Sequence, residues 1–210
     1  MKFAFLFLFL FNAGLAMAHP VAFQDSVGIM GHHSPMLTHN QLNYSFKYWW
    51  AMGVHHFKRP DALDNRHASL ASTNFLLKRW YGDAFQANVY AILGGGKSEL
   101  LDEPKDVGMG MLQFDIEDRK YYFLAQYLQL TDSDDTQLEQ TTVRAGLAPY
   151  VGNFDDLHTW FILEWSENRF LNEKPEEDLT PYLRFFYKNV LFEIGQSFDG
   201  ATRFNYIIHY

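Results

Sequence analysis

The chain ends on the stretch Phe204-Asn205-Tyr206-Ile207-Ile208-His209-Tyr210. Every second position, counted back from the last residue, is apolar or aromatic: Tyr210, Ile208, Tyr206 and Phe204. Side chains alternate across a β-strand, so these four positions share one face. The stretch therefore predicts a strand that has a continuous apolar face and ends on an aromatic residue.

Segments with the same alternation recur along the chain. The segment near 84–94 shows it most clearly, with one face made of Phe85, Ala87, Val89, Ala91 and Leu93. We predict twelve strands, near 21–31, 41–48, 51–58, 71–80, 84–94, 107–116, 120–130, 138–148, 157–166, 179–187, 190–198 and 202–210. Gly, Asp, Asn and Pro gather between them, as turns require. This rhythm is typical of an all-β fold, a closed antiparallel transmembrane β-barrel.

A last strand that ends in an aromatic residue resembles the assembly signal of Gram-negative outer-membrane β-barrel proteins. The resemblance covers the whole mature chain as a pattern. It implies an outer-membrane location, contact with outer-membrane lipid, and recognition of the last strand by the barrel-assembly machinery. An aromatic content of 18% fits an apolar outer wall with aromatic rims. One alternative stays open: if residues 41–58 form a single strand and the first segment is a plug, ten strands remain.

The first 18 residues read as a secretory signal peptide. Lys2 gives a positive start, residues 3–11 are all apolar, and Ala16-Met17-Ala18 is the small-x-small pattern that signal peptidase recognises. Cleavage would leave a barrel domain of residues 19–210. The alternative is a retained N-terminal anchor, which the apolar run disfavours because it is too short to span a membrane comfortably.

Aromatic residues flank the predicted connections after even-numbered strands. They are Tyr48, Trp49, Trp50, Trp80, Tyr81, Tyr121, Tyr122, Tyr150, Phe186, Tyr187 and finally Tyr210. Most of these connections are short, whereas most of the connections after odd-numbered strands are long, for example 59–70 and 167–178. This asymmetry predicts that both chain ends lie on the inner side of the membrane, with the aromatic girdle at that boundary. A net charge of −8 argues against a nucleic-acid partner.

Alternation also predicts which charged side chains face the lumen. They are Lys78, Arg144, Glu164, Arg184, Lys188 and Glu193, together with Gln113 and Asp115. Two interpretations stay open. The charges either form a salt-bridged network that fills a narrow lumen, or they line a constriction that selects a small ion or solute.

Histidines concentrate in one part of the chain. His32, His33, His39, His55, His56 and His67 fall within 36 residues, and Met36 lies among them. Imidazole suits zinc and copper, and thioether favours cuprous copper, so the pattern predicts a copper or zinc ion bound on two neighbouring loops of the outer rim. His19, the first residue after the predicted cleavage site, adds an imidazole beside a free α-amine. With His19-Pro20 and residues 184–189, the chain also loosely resembles uncharacterised barrels of metal-resistance settings.

Three functional classes follow from these features. The first is a narrow channel or envelope barrel that handles metal ions, and the second is a closed structural or adhesive barrel. The third is a lipid-directed enzyme of the phospholipase or lipid A deacylase type, for which His33-Ser34 and His67-Ala68-Ser69 supply the residue types. Adjacent residues cannot act as nucleophile and base, since these partners must meet across strands with a third orienting group. The sequence favours a protein that is not an enzyme, and it leaves the oligomeric state open.

Overall fold

A computed structural model describes residues 19–62, 66–101, 103–153 and 155–210, so the predicted signal peptide lies outside the described residues. The described residues form twelve strands. They are β1 (Ser26–His33), β2 (Thr38–Lys47), β3 (Trp50–Lys58), β4 (His67–Tyr81), β5 (Gln86–Ser98), β6 (Lys105–Glu117), β7 (Tyr121–Thr131), β8 (Thr136–Leu147), β9 (His158–Phe170), β10 (Glu176–Tyr187), β11 (Val190–Gln196) and β12 (Thr202–His209). None of these described residues lies in a helix long and apolar enough to cross a membrane.

Every strand pairs antiparallel with its sequence neighbours, and β1 pairs with β12 to close the ring. Ile29 stands opposite Ile208 in that closing ladder, and Tyr210 continues it by exchanging two backbone hydrogen bonds of 2.8 Å with Val27. The predicted closed barrel of twelve strands is confirmed. The ten-strand alternative is wrong, because β2 and β3 are separate strands and β1 is a full member of the ring. Closure leaves no unpaired strand edge.

The outward-facing side chains make an apolar wall. Large apolar residues exposed on it include Leu42, Met52, Val54, Leu93, Leu112, Phe123, Leu147, Phe161, Leu163, Leu183, Phe192, Ile194 and Phe204. Such a wall is stable only against lipid, which identifies the fold as a transmembrane barrel.

We call the end of the barrel that carries residue 210 the terminal end, and the opposite end the far end. Exposed aromatic residues cluster at the terminal end: Tyr48, Trp49, Trp80, Tyr81, Tyr121, Tyr150, Tyr187 and Tyr210. The predicted aromatic girdle is therefore present there. Tyr122 and Phe186 are exceptions to it, because alternation turns both toward the lumen cavity.

The lengths of several connections differ from the predicted lengths. Four connections at the terminal end are short, at 48–49, 82–85, 118–120 and 188–189, but residues 148–157 form the longest connection in the barrel. Five of the six far-end connections are shorter than predicted, because strands extend into them, whereas the β11–β12 connection at 197–201 is longer than the predicted 199–201. β4 begins at His67 and β9 continues to Phe170. Backbone pairing thus extends the ladders beyond the segments that show clear alternation.

Apolar side chains fill the inside of the barrel near the far end, between β3 and β9. This far-end core consists of Met36, Leu37, Phe57, Ala68, Leu70, Ile92, Leu100, Val107, Met109, Met111, Leu128, Leu130, Leu138 and Phe170. Met36 and Leu37 belong to the β1–β2 connection, which therefore folds inward. The lumen is closed by packing over part of its cross-section, and polar space remains on the β10–β12, β1 and β2 side.

Candidate functional site

The lumen contains a cavity of about 670 Å³ that extends along the barrel. At the terminal end it borders the connections at residues 82–85 and Gly152, and at the far end it borders Ser34 and Leu37. Between these ends it separates two polar walls. One wall belongs to β8–β12 and the other to β1, β2 and β6.

The β8–β12 wall holds a buried ion-pair network centred on Glu193. The Glu193 carboxylate lies 2.6 Å from Arg144 Nη2 and 2.6 Å from Arg184 Nε, and it accepts a hydrogen bond of 2.8 Å from the Asn205 amide. Arg144 also pairs with Glu164 at 3.0 Å. Two arginines and two carboxylates thus compensate each other where water is largely excluded. All four residues that alternation predicts to face the lumen in these strands border the cavity: Arg144, Glu164, Arg184 and Glu193.

Arg203 extends the same network and was not among the predicted lumen charges. It pairs with Asp178, lies 3.9 Å from Glu164 and is 3.5 Å from the Ser166 hydroxyl. The sequence does indicate that Arg203 faces the lumen. Phe204 lies on the lipid row of the last strand, and alternation then requires its neighbour Arg203 to point inward.

Lys78 does not face the lumen, so that prediction is wrong. The β4–β5 ladder shifts register between Leu76 and Lys78, which leaves Leu77 and Lys78 exposed on the outside. Such a bulge adds one residue and reverses the alternation that follows. Arg79 therefore points inward in place of Lys78, and its Nε donates to Asn88 Oδ1 at 2.6 Å.

Lys188 does not face the lumen either. It occupies the tight turn between β10 and β11 with a positive φ of 54°, and its side chain is exposed. Asp155 lies 3.9 Å away in another terminal-end connection. Counting alternation through a two-residue turn placed Lys188 on the wrong surface, because a turn does not preserve the period of two.

The second wall carries the predicted Gln113 and Asp115 as buried lumen residues. Asp115 accepts hydrogen bonds from the Asn88 amide at 2.6 Å and from the Gln113 amide at 3.0 Å. Glu117 follows on the same face and borders the cavity. The β6 wall is thus acidic near the terminal end and lies opposite the arginines of β8–β12.

A chain of hydrogen bonds joins two histidines to side chains on β4. His39 Nε2 lies 2.9 Å from His55 Nδ1, His55 Nε2 lies 2.9 Å from Ser72 Oγ, and the Ser72 hydroxyl donates to Asn74 Oδ1 at 2.8 Å. The Ser72 hydroxyl has a single proton, so His55 Nε2 must be the donor to Ser72 Oγ. If His55 is neutral, its Nδ1 then accepts from His39 Nε2.

The predicted rim histidines lie on strands rather than on two loops, so their predicted arrangement is wrong. Alternation divides them between two surfaces. His32, His39 and His55 are on the inner side, whereas His33 stacks on Phe204 of the outer wall and His56 and His67 are partly or fully exposed there. Met36 is buried in the far-end core. Among the described residues, no three His, Asp or Glu side chains converge on a point where they could hold a metal ion.

Two further predicted features have definite positions. His19 lies in the lumen at the terminal end, with its ring 3.5 Å from Asp115 and 3.9 Å from Glu117. The Ser69 hydroxyl lies 3.0 Å from His56 Nδ1 on the neighbouring strand, on the outer wall.

The closed ladder, the apolar outer wall and the polar lumen define a transmembrane β-barrel of the outer-membrane type. No protein-family model matches the chain, and no curated protein sequence matches it. Two solved structures are similar to it: a KdgM porin, and a KdgM porin in complex with disordered oligogalacturonate. Each is 11% identical, covers 88% of this chain and 98% of its own, and superposes with a TM-score of 0.49.

Proposed function

We propose that the protein is a narrow outer-membrane channel for small polar solutes, and that the lumen cavity is its conducting path. The observation that carries the proposal is the cavity itself, which reaches connections at both ends of the barrel and has polar walls between them. The far-end core fills the β3–β9 side of the lumen near that end, so the path there runs beside β10–β12, β1 and β2. The core narrows the open cross-section of the twelve-stranded ring, so solute size limits passage.

The charges along the path support a preference for polar solutes rather than strong selection of one ion sign. Arg144 and Arg184 share the carboxylate of Glu193, and Arg203 pairs with Asp178. A paired charge presents a smaller net field to a passing ion than an isolated ring of like charges. We therefore expect a low single-channel conductance with weak ion selectivity.

Planar-bilayer conductance tests this function with a matched pair of substitutions. Gln126 borders the cavity, and the next residue, Tyr127, is exposed on the outer wall. Gln126→Trp should lower the single-channel conductance severalfold, because it places an indole in the path. Tyr127→Trp should leave the conductance unchanged. A wild-type barrel that is folded and still does not raise the conductance of the bilayer would show that the lumen is closed.

Metal handling is a second candidate function, and we propose that its ligands lie in the lumen. His32 and His39 border the cavity with ring centroids 6.5 Å apart, and two thioethers, Met30 and Met111, border the same cavity. Imidazole and thioether together favour copper, in particular cuprous copper, over magnesium or calcium. Zinc would depend on the imidazoles alone.

Calorimetry with cuprous and zinc ions under anaerobic conditions separates a lumen site from a rim site. We expect a saturable copper isotherm that is lost in the variant His32→Ala/His39→Ala. The control variant His56→Ala/His67→Ala removes the same number of imidazoles from the outer wall and should bind as the wild type does. Uptake that never saturates, or that only the control variant abolishes, would rule out the lumen site.

A further inference from the structure

Residues 19–22 run inside the barrel at the terminal end without joining any strand. Asn74 Nδ2 donates to the Pro20 carbonyl at 3.3 Å, and the Ala22 N–H donates to Ser45 Oγ at 3.0 Å. Val21 lies between these two contacts and is completely buried. The segment is therefore seated on specific positions of the lumen wall.

The wall beneath this segment has a shape and a chemistry that match it. Ala51, Leu76 and Tyr90 from three successive strands form a small apolar pocket around Val21. The small side chain of Ala51 leaves space between Leu76 and the ring of Tyr90 that Val21 fills, so the apolar contact contributes about 1.5 to 3 kcal/mol relative to an exposed valine. This pocket and the far-end core are two separate apolar regions of the inner face.

The first described residue of the segment rests against the acidic part of the β6 wall. The His19 ring lies 3.5 Å from Asp115 and 3.9 Å from Glu117, and it tilts over Tyr90 at 5.4 Å between ring centroids. Within residues 19–62, 66–101, 103–153 and 155–210, neither ring nitrogen of His19 has a hydrogen-bond partner, and Glu117 Oε1 has none. His19 is thus held by proximity to the carboxylates rather than by a fixed hydrogen-bond geometry.

The connection between the segment and the barrel is a sharp turn. Asp25 adopts a positive φ of 61°, a left-handed conformation that aspartate tolerates better than most residues. The Ser26 hydroxyl donates to the Phe23 carbonyl at 2.6 Å within this turn. Residues 19–22 make no ladder hydrogen bonds, so they can leave the lumen by a change at this turn while the twelve strands stay paired.

We propose that residues 19–22 are a reversible plug of the lumen. The proposal rests on the channel function proposed above. His19 and Pro20 themselves border the cavity, so the seated segment forms part of its wall and narrows the path at the terminal end. Release of the segment widens the path along β2–β6 and removes His19 from Asp115 and Glu117, so both carboxylates face the solute without it.

Two substitutions two residues apart test the plug in planar bilayers. Val21→Asp places a charge in the pocket of Ala51, Leu76 and Tyr90, so it should expel the segment. We expect a single-channel conductance about twofold or more above the wild-type value, because conductance increases with the open cross-section. Phe23→Asp is the matched control. Phe23 is half-exposed and directly follows the segment, so this variant adds the same charge while Val21 stays in its pocket.

A disulfide lock tests the same plug without destabilising the pocket. The chain has no cysteine, so Val21→Cys/Ala51→Cys introduces a single pair within the Val21 pocket. We expect low, steady conductance in the oxidised form and openings to a higher level after reduction. Equal conductance of the wild type, Val21→Asp and both redox forms would overturn the plug and leave the channel in place. Folded barrels that never conduct in any of these forms would overturn the channel and the plug together.

Discussion

Arg59 and Glu173 are joined across the far end of the barrel. The Arg59 guanidinium donates to both carboxylate oxygens of Glu173, at 2.8 and 3.1 Å. Arg59 follows β3 and Glu173 follows β9, and these strands stand on opposite sides of the ring. The same guanidinium lies 3.8 Å from the ring centroid of Phe170, so the bridge rests on the far-end core.

Loss of this bridge should loosen the far end. Glu173 is 42% exposed, so solvent screening limits the coupling between Arg59 and Glu173 to roughly 0.2 to 1 kcal/mol. A double-mutant cycle of Arg59→Gln and Glu173→Gln in denaturant unfolding measures that coupling. Both single variants should also show more frequent conductance fluctuations than the wild type. Additive single effects would mean that the two side chains do not act together.

Glu193→Gln should be strongly destabilising. It leaves Arg144 and Arg184 buried without the carboxylate that they share, and breaking a buried pair in this way costs about 3–5 kcal/mol. Denaturant unfolding in detergent gives the free energy of unfolding. Glu177→Gln removes an equal charge from an exposed position of β10 and should change that energy by less than about 0.5 kcal/mol. Similar losses in the two variants would contradict the buried network.

Arg79 and Lys78 should differ in their effect although they are adjacent and equally charged. Arg79→Gln removes a charged hydrogen bond to buried Asn88 and should cost about 1.5 to 3 kcal/mol in the free energy of unfolding. Lys78→Gln changes an exposed side chain on the outer face of the same strand and should have little effect. The reverse ranking in thermal unfolding would show that the register does not shift in β4.

Acidification should loosen the far-end connection at residues 132–135. Hydrogen bonds from the Gln137 side chain, from the backbone N–H groups of Asp134 and Asp135 and from Lys105 hold the pKa of Asp132 well below its usual range. A depressed carboxyl pKa stabilises the fold above the unfolded value of about 3.9, and this contribution disappears as the pH falls through the folded value.

Amide hydrogen exchange at residues 134 and 135 measures this effect on the Asp132 loop. Protection should be constant from neutral pH down to about pH 4 and should decrease below it. Asp132→Asn should lower the protection at neutral pH and remove most of the pH dependence. Unchanged protection in that variant would mean that the carboxylate does not order the loop.

Tyr210→Asp should lower the amount of assembled barrel. The Tyr210 side chain is 70% exposed and belongs to the lipid-facing row of Phe204, while its backbone helps to close the ring at Val27. A charged side chain at position 210 is unfavourable in contact with lipid. It should therefore impair assembly more than it changes the conductance of barrels that do form. The measured quantity is the share of the membrane-bound protein whose migration on a gel changes after boiling. Tyr210→Phe is the matched control and should assemble normally.

The sequence by itself determined the barrel and predicted twelve strands, and the pairing of β1 with β12 and β2 then excluded the ten-strand alternative. Alternation with a period of two gave each strand an apolar face and a polar face, and the aromatic ends marked the terminal end. It also located Arg144, Glu164, Arg184 and Glu193, because each lies within an uninterrupted strand. In such segments the direction of a side chain follows from the nearest outward-facing residue, without knowledge of the neighbouring strand.

Tertiary structure decided everything that depends on where the alternation is interrupted or on what meets across the lumen. The bulge in β4 exchanged Lys78 for Arg79, and the extension of β1–β4 separated His32 and His39 from His33 and His56. The pocket around Val21 likewise forms only where three strands bring their side chains together. The sequence around one residue does not specify which residue of a neighbouring strand pairs with it. The register of that pairing fixes which side chains meet in the lumen.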